Sequence, residues 1–269
     1  MAIEEAKIII KNILDKALEN EIITKEEHKA MYAEDKNPGK FYCNFKVHKP
    51  HETLPPPRPI VSGSDSITEN IGRYVEHHIS STATEHDTYI QDTPDFLRIV
   101  EKINVGPKLH RNTLVFTMDA IGLYTNIKHT EGHKSLEDKL ETKKNKKIPT
   151  DFIIKLMKVI LEHNIFEFNN ALWKQIIGEA MGSRHIPHYA DILMADIDHI
   201  IEDIAHIYDL KDIKALKLLK LFLYDYIGLF ACSTKKLHEL LEQINKINPT
   251  IQFTIKHTSM NQKRTDVSV

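Results

Sequence analysis

The sequence predicts an α+β fold in which helices pack against a mostly antiparallel sheet. Apolar residues recur at helical spacing in several stretches, segments that alternate with a period of two come in hairpin-like pairs, and the two kinds interleave without regular β-α-β alternation. The 269 residues, 41% hydrophobic and 28% charged, suffice for a sizeable core in one large domain or two small ones.

In chain order, Ile3, Ala6, Ile10, Ile13, Leu14, Ala17 and Leu18 fall on one stripe and predict an amphipathic helix over 3–18. Thr24 followed by Glu27 is a capping-box pattern that opens a short helix to about Met31, and Asn37-Pro38-Gly39 stops it. Residues 41–47 read as a strand. The proline-rich stretch 54–59 is a stiff connection into a short strand over 60–62. Thr68 starts a helix to about Ser80, and Thr93 is expected to cap the next one, with Pro94 in its first turn. Residues 113–118 form a short apolar run rich in β-formers that ends on Asp119. Helices are expected over 131–140 and 151–162, separated by Lys143, Lys144, Lys146 and Lys147 in an exposed loop. Residues 166–173 alternate around Asn169-Asn170 as a hairpin. A strongly apolar helix follows from His188 to Ile204. Residues 218–223 and 227–232 form a second hairpin broken at Tyr224-Asp225-Tyr226; Ser233 caps a helix to about Ile247, and 251–256 is a closing strand.

Composition excludes several classes of function. Cys43 and Cys232 are the only cysteines, too few for a disulfide scaffold or a four-cysteine zinc site, and they suit a reducing intracellular compartment. No window approaches the roughly 18 consecutive apolar residues of a membrane span, and no secretory signal is visible at the start, so no membrane partner is expected. Lys+Arg 36 against Asp+Glu 38 gives a net charge of -2, so bulk charge lends no support to nucleic-acid binding. His129 and His133, and His185 and His188, have metal-compatible spacings. The Glu between the first pair is misplaced for a zinc helix, and ordinary surface histidines fit as well. Lys211, Lys214, Lys217 and Lys220 recur every three residues, as either a basic stripe or a solvated face.

Two aspartates remain, each at the end of or inside a buried-looking apolar strand: Asp119 and Asp225. A carboxylate there needs a reason. On neighbouring strands the two could share divalent cations, the arrangement used for in-line phosphoryl transfer; from spacing alone each fits a turn cap equally well.

The blocks FYCNFKVHKP, PPRPIVSGSDSITENI, FTMDAIGLYTNI, QIIGEAMGSRHIPHYA, FLYDYIGLF and PTIQFTIKHT, in that order, resemble a reverse transcriptase, and more narrowly that of Penelope-like retroelements, from about Ile3 to Thr265-Asp266-Val267. The resemblance implies a right-hand polymerase core: an N-terminal helical lead over 1–36, then a fingers and palm domain over 37–269 whose palm comprises about 113–130 and 191–257. It implies RNA-directed DNA synthesis with Mg²⁺, or alternatively Mn²⁺, at Asp119 and Asp225, on an RNA template and DNA primer with deoxynucleoside triphosphates, at an intracellular, nuclear location. Tyr124 would gate the nucleotide sugar, Lys46 and Arg58 would hold the triphosphate, Gly182 would let backbone approach the new base pair, and Arg184 would touch the template. For each, a packing or surface role is the competing reading. The sequence departs from the family pattern at Phe45, Asp65, Ile67, Lys128 and Ile186, and at Tyr226, which stands where a second hairpin aspartate is expected. A neutral phenol is a poor ligand for a hard cation, so this departure predicts impaired catalysis, with a non-catalytic remnant that at most binds RNA or DNA as the alternative.

Overall fold

A computed structural model describes residues 2–32, 35–48, 50–144, 146–209 and 214–259; Lys211 and Thr265-Asp266-Val267 lie outside these. The chain runs α1 (Ala2–Glu19), α2 (Lys25–Met31), β1 (Gly39–Phe45), β2 (Pro57–Ser62), α3 (Glu69–Ala83), α4 (Thr93–Val105), β3 (Leu114–Ala120), α5 (Leu123–Asn126) and α6 (His129–Glu141). It continues α7 (Thr150–Glu162), β4 (Ile165–Phe168), β5 (Ala171–Lys174), α8 (Ile186–His206), β6 (Leu216–Phe222), β7 (Asp225–Phe230), α9 (Thr234–Ile247) and β8 (Phe253–Ser259).

Local chemistry explains most boundaries. Thr24 Oγ1 accepts the Glu27 N–H at 3.1 Å while the Glu27 carboxylate accepts the Thr24 N–H at 2.7 Å, closing the capping box of α2. The cap of α4 is Asp92, one residue earlier than expected, because its carboxylate reaches the Asp95 N–H at 2.8 Å. Asn169 and Asn170 take left-handed φ values of 52° and 58°, the geometry of a tight two-residue hairpin turn.

The chain divides into two compact units, Met1–Ala83 with Tyr124–Ile192, and Thr84–Leu123 with Leu193–Val269. In the first, a sheet of order β2-β1-β4-β5 is antiparallel except where β1 runs parallel to β4. Phe41 and Phe166 on one face pack with Val61, Ala180 and Ile186. On the other, Ile165 packs against Ala6 and Ile67. Helix α7 is buried on most sides through Phe152, Ile153, Leu156, Met157 and Ile160.

In the second unit the sheet order is β6-β7-β3-β8, entirely antiparallel. Leu114, Phe116 and Met118 of β3 and Tyr226, Gly228 and Phe230 of β7 turn to its buried face. Helix α9 is tied to β8 by the Asn245 side chain, which accepts the Phe253 N–H at 2.8 Å and donates to the Phe253 carbonyl at 3.0 Å.

Gly228 sits directly opposite Phe116, and a Cβ there would lie 2.2 Å from the Phe116 ring. The ring fills the space that a side chain would take, so the glycine is a packing requirement of this sheet. Gly228→Val should therefore destabilise the protein by about 1–3 kcal/mol in urea unfolding, as overpacking does. Adding Phe116→Leu should recover part of the loss; a Gly228→Val chain as stable as the parent would contradict this packing.

Candidate functional site

The site in the second unit is set by strand register. Asp119 lies directly opposite Asp225, with Thr254 of β8 on its other side and Phe222 of β6 beyond Asp225. Directly opposed residues of an antiparallel pair project from the same face with β-carbons about 4.5–5.5 Å apart. Both aspartates are exposed. The next row on this face carries Lys220, Ile227, Thr117 and Lys256. Asp225 follows a two-residue turn in which Leu223 holds φ 58°, a conformation uncommon for leucine. A Mg²⁺ ion is usually held through one or two carboxylates, with waters and substrate phosphates filling the octahedron. The donor set suits it: two hard carboxylates side by side on adjacent strands. Among the described residues no cluster of three or more His, Cys, Asp or Glu could hold a metal.

Tyr226 does not stand at a metal-facing position. Successive strand residues point to opposite faces, so with Asp225 outward Tyr226 turns inward, where it is 1% exposed. Its hydroxyl donates to Asp198 of α8 at 2.5 Å. Thr88 donates to the other oxygen of the same carboxyl, and His86 Nδ1 lies 2.6 Å from Thr88 Oγ1 and 3.3 Å from Asp198. Asp198 is 3% exposed, so these partners satisfy a carboxyl that would otherwise be buried at a cost of several kcal/mol. Sequence reasoning missed Asp198; its place within an apolar helical run was the one available signal.

The remaining candidates lie in the first unit. Arg58 pairs with Asn44 across β1 and β2; Lys46, just past β1, donates its N–H to Pro56 O at 2.9 Å and so falls on the same face, with exposed Tyr42 and half-buried Ile60. Tyr124 is half-buried and packs against the Val61, Ala180 and Ile186 cluster. Its carbonyl accepts the Glu179 N–H at 2.6 Å. Gly182 has φ 127°, and a Cβ there would lie 2.8 Å from the Val61 carbonyl. The backbone it admits is therefore that of β2. Arg184 lines a small pocket with Gly63, Ser64, Gly182 and Ser183. The seven sequence candidates thus form two groups: Asp119 and Asp225 in one unit, and Lys46, Arg58, Tyr124, Gly182 and Arg184 in the other.

Several departures from the family pattern are locally accommodated. Asp65, where glycine is usual, takes φ 59°, and Lys36 at 3.1 Å and Asn37 at 3.2 Å hold its carboxylate, the lysine pulling its pKa below the ordinary value. Ile67 is buried against Ala6 and Ile165. Lys128 begins α6 without a side-chain cap bond, and Ile186 is buried at the start of α8.

The histidine pairs serve structure. His129 Nε2 contacts Gly178 O at 2.9 Å. Burial pushes His133 and His185 down to about 4. Both ring nitrogens of His185, and both carboxyl oxygens of Glu179, are buried without a hydrogen-bond partner among the described residues. Burial raises the Glu179 pKa well above the carboxylate range.

No protein-family model matches the sequence, and no curated protein matches it significantly. Solved structures do match in fold. Apo telomerase from Candida tropicalis, truncated from its C-terminal domain, aligns with 84% of this chain at TM-score 0.56 and 10% identity. Telomerase from Candida albicans in complex with a TWJ fragment of telomeric RNA aligns with 90% at TM-score 0.59 and 10% identity. The RNA-dependent RNA polymerase of a human picobirnavirus aligns with 81% at TM-score 0.55 and 8% identity. The chain spans 52%, 44% and 40% of those three chains. It has a nucleic-acid polymerase-like fold. The telomerases, as reverse transcriptases, and the viral RNA-dependent enzymes share it with this chain.

Two outcomes follow from the buried groups. Tyr226→Phe should cost about 1–3 kcal/mol by stripping a donor from Asp198, and Tyr226→Asp should cost more, since it sets a second carboxyl beside the first; urea unfolding that ranks the aspartate variant above the phenylalanine one would refute this. For Glu179 the folded pKa is raised, so its contribution is complete below the ordinary value of 4.5 and lost as pH rises above it. Glu179→Gln should accordingly match the parent near pH 4 and exceed it in stability by a growing margin toward pH 8.

Proposed function

We propose that this chain is an N-terminal helical lead over 1–36 followed by the fingers and palm of an RNA-directed DNA polymerase of the retroelement kind, related to Penelope-like reverse transcriptases, with a palm over about 113–130 and 191–257 that falls mostly in the second unit. The observation that carries the reading is the direct pairing of Asp119 with Asp225 on the exposed face of an antiparallel sheet. These two carboxylates would hold Mg²⁺, or Mn²⁺. Bound there, the ion would supply charge neutralisation for the attacking and leaving oxygens of an in-line nucleotidyl transfer onto a primer 3′-hydroxyl. Arg58 offers a planar fork for phosphate and Lys46 a point charge beside it, both on one sheet face. Tyr124 is held by its backbone to the loop that carries Gly182, which supports a fixed ring that rejects a 2′-hydroxyl by sterics. The RNA template, DNA primer and deoxynucleoside triphosphates are the partners this reading requires.

One observation favours a second reading, a remnant that binds nucleic acid without catalysis. The family's additional hairpin carboxylate has no counterpart on the exposed face, because Tyr226 points into the core. Activity is therefore expected to be weak, and Tyr226→Asp is not expected to raise it.

Primer extension on an RNA template decides between the two. Slow Mg²⁺- or Mn²⁺-dependent extension by the parent, reduced about 10²- to 10³-fold in Asp119→Asn and in Asp225→Asn, is the expected result. In the same assay Tyr124→Ala should raise ribonucleotide relative to deoxyribonucleotide incorporation. Extension indifferent to both asparagine variants would remove the aspartate pair from the chemistry, and no extension with either ion would leave the remnant reading.

A further inference from the structure

Helices α2 and α3 and the loop before α7 enclose a groove of about 500 Å³ within the first unit. Asn70, Arg73, Tyr74, His77 and His78 all line it, and they occur at i, i+3, i+4, i+7 and i+8, one face of α3. Lys147 closes the other side. None of these residues belongs to the site proposed above.

The face is built from rings and cations. The Tyr74 and His78 rings lie 4.5 Å apart, and those of His77 and His78 5.1 Å apart and nearly perpendicular. The Tyr74 hydroxyl is buried without a hydrogen-bond partner among the described residues and is kept protonated because burial pushes its pKa up to about 12. Burial, reinforced by the charges of His77 and Lys147, lowers the pKa of His78, so that ring is neutral at physiological pH.

The positive charge is local and only partly compensated. Lys143, Lys144, Lys146 and Lys147 stand in a stretch with no acidic residue between Glu141 and Asp151. Lys146 pairs with Glu141 and Lys143 donates to Ser81, but Lys144 and Lys147 make no ion pair among the described residues. Arg73 is aimed by Glu69 at 2.7 Å and stays 53% exposed. The one acidic residue of the lining, Glu27, is engaged by the Thr24 N–H in the α2 capping box.

We infer that this groove binds a single-stranded polynucleotide, its bases stacking on Tyr74, His77 and His78 and its phosphates meeting Arg73 and Lys147. Rings that accept any base, with cations beside them, are the elements of a sequence-tolerant single-strand site. An acidic protein segment would use the cations but leave the rings idle.

The test is fluorescence anisotropy of the full chain with a labelled short oligouridylate, and with oligodeoxythymidylate in parallel, across a salt series. Tyr74→Leu or His78→Leu should weaken binding about tenfold or more. Lys147→Glu, a surface change that leaves the fold intact, should weaken binding and reduce the salt slope by about 0.7 or more. Ultraviolet cross-links should map to the peptide of α3. Comparable RNA and DNA affinities support the site, since its contacts ignore the 2′-hydroxyl. Parental affinity and slope in Lys147→Glu, cross-links confined elsewhere, or full displacement by polyglutamate without any effect of the ring variants would overturn it. Groove binding is read from the α3 cross-links and the Lys147→Glu slope, and nucleotidyl transfer from the extension activity of Asp119→Asn and Asp225→Asn, so the groove and the nucleotidyl-transfer reading fail separately.

Discussion

Along β3 and β7 each residue takes the face opposite to its neighbour's, and the antiparallel register couples the two strands row by row. Met118 faces Tyr226, Phe116 faces Gly228 and Leu114 faces Phe230, all buried, while Asp119 faces Asp225 on the exposed side. A slip of one residue would send the whole buried set outward and drive Asp119 into the core. The Phe116 ring makes such a slip costly, because only a glycine leaves room for it: shifted by one, the ring would meet Ile227 or Leu229. The juxtaposition of the carboxylates is thus enforced by apolar packing on the far side of the sheet, and the reactive face itself need contribute little to holding it.

The same coupling explains which parts of the architecture were legible in the sequence. The α2 capping box, the Asn169-Asn170 hairpin and the Ser233 cap are encoded within a few residues, and each forms where its signature stands. Asp119 and Asp225 were visible because a carboxylate at a buried-looking strand demands an explanation. The orientation of Tyr226 was not visible, although strand alternation alone separates it from Asp225: the hairpin was expected to break at 224–226, whereas β7 already begins at Asp225. Asp198 lay further out of reach, since its partners come from positions 28 and 110 residues away and nothing local links them. The α3 face escaped because its spacing mixes histidine, tyrosine and arginine, which a search for apolar periodicity passes over.

Burial of titratable groups in the first unit sets limits in both directions of pH. His185, held near 4 by burial, favours the fold when neutral, so its contribution is lost as pH falls from about 6.5 toward 4. Glu179 favours the fold when protonated and acts the opposite way above 4.5. Both lie in the connection between β5 and α8, which is seated by backbone contacts: Gly178 at φ 69° lies against Thr125, and the Glu179 N–H reaches Tyr124 O. The segment carrying Gly182 and Arg184 is thus positioned by hydrogen bonds while its unpartnered acid and imidazole are kept uncharged. A neutral interior of this kind avoids the larger penalty of unpaired buried charge, at the expense of a narrower pH range.

Net charge is a poor guide to what this chain can hold. Some of its charge cancels within single helical turns, as in Lys7 with Glu4, Arg98 with Asp95, Lys128 with Glu131 and Lys155 with Asp151. Such exposed pairs add little stability and leave almost no field beyond a Debye length. The cations without an ion pair among the described residues include Lys46 and Arg58 on the β1-β2 face, Lys147 at the groove beside α3, and Lys144 in the loop that leads to it. Counterion release depends on the cations that meet phosphate in one place, and acids paired off elsewhere do not subtract from it. A sum of -2 is therefore compatible with local surfaces suited to a polynucleotide. With so few cations in each, electrostatics alone would give weak binding that salt readily abolishes, so the aromatic rings at Tyr42 and Tyr74 must supply the share of affinity that salt does not remove.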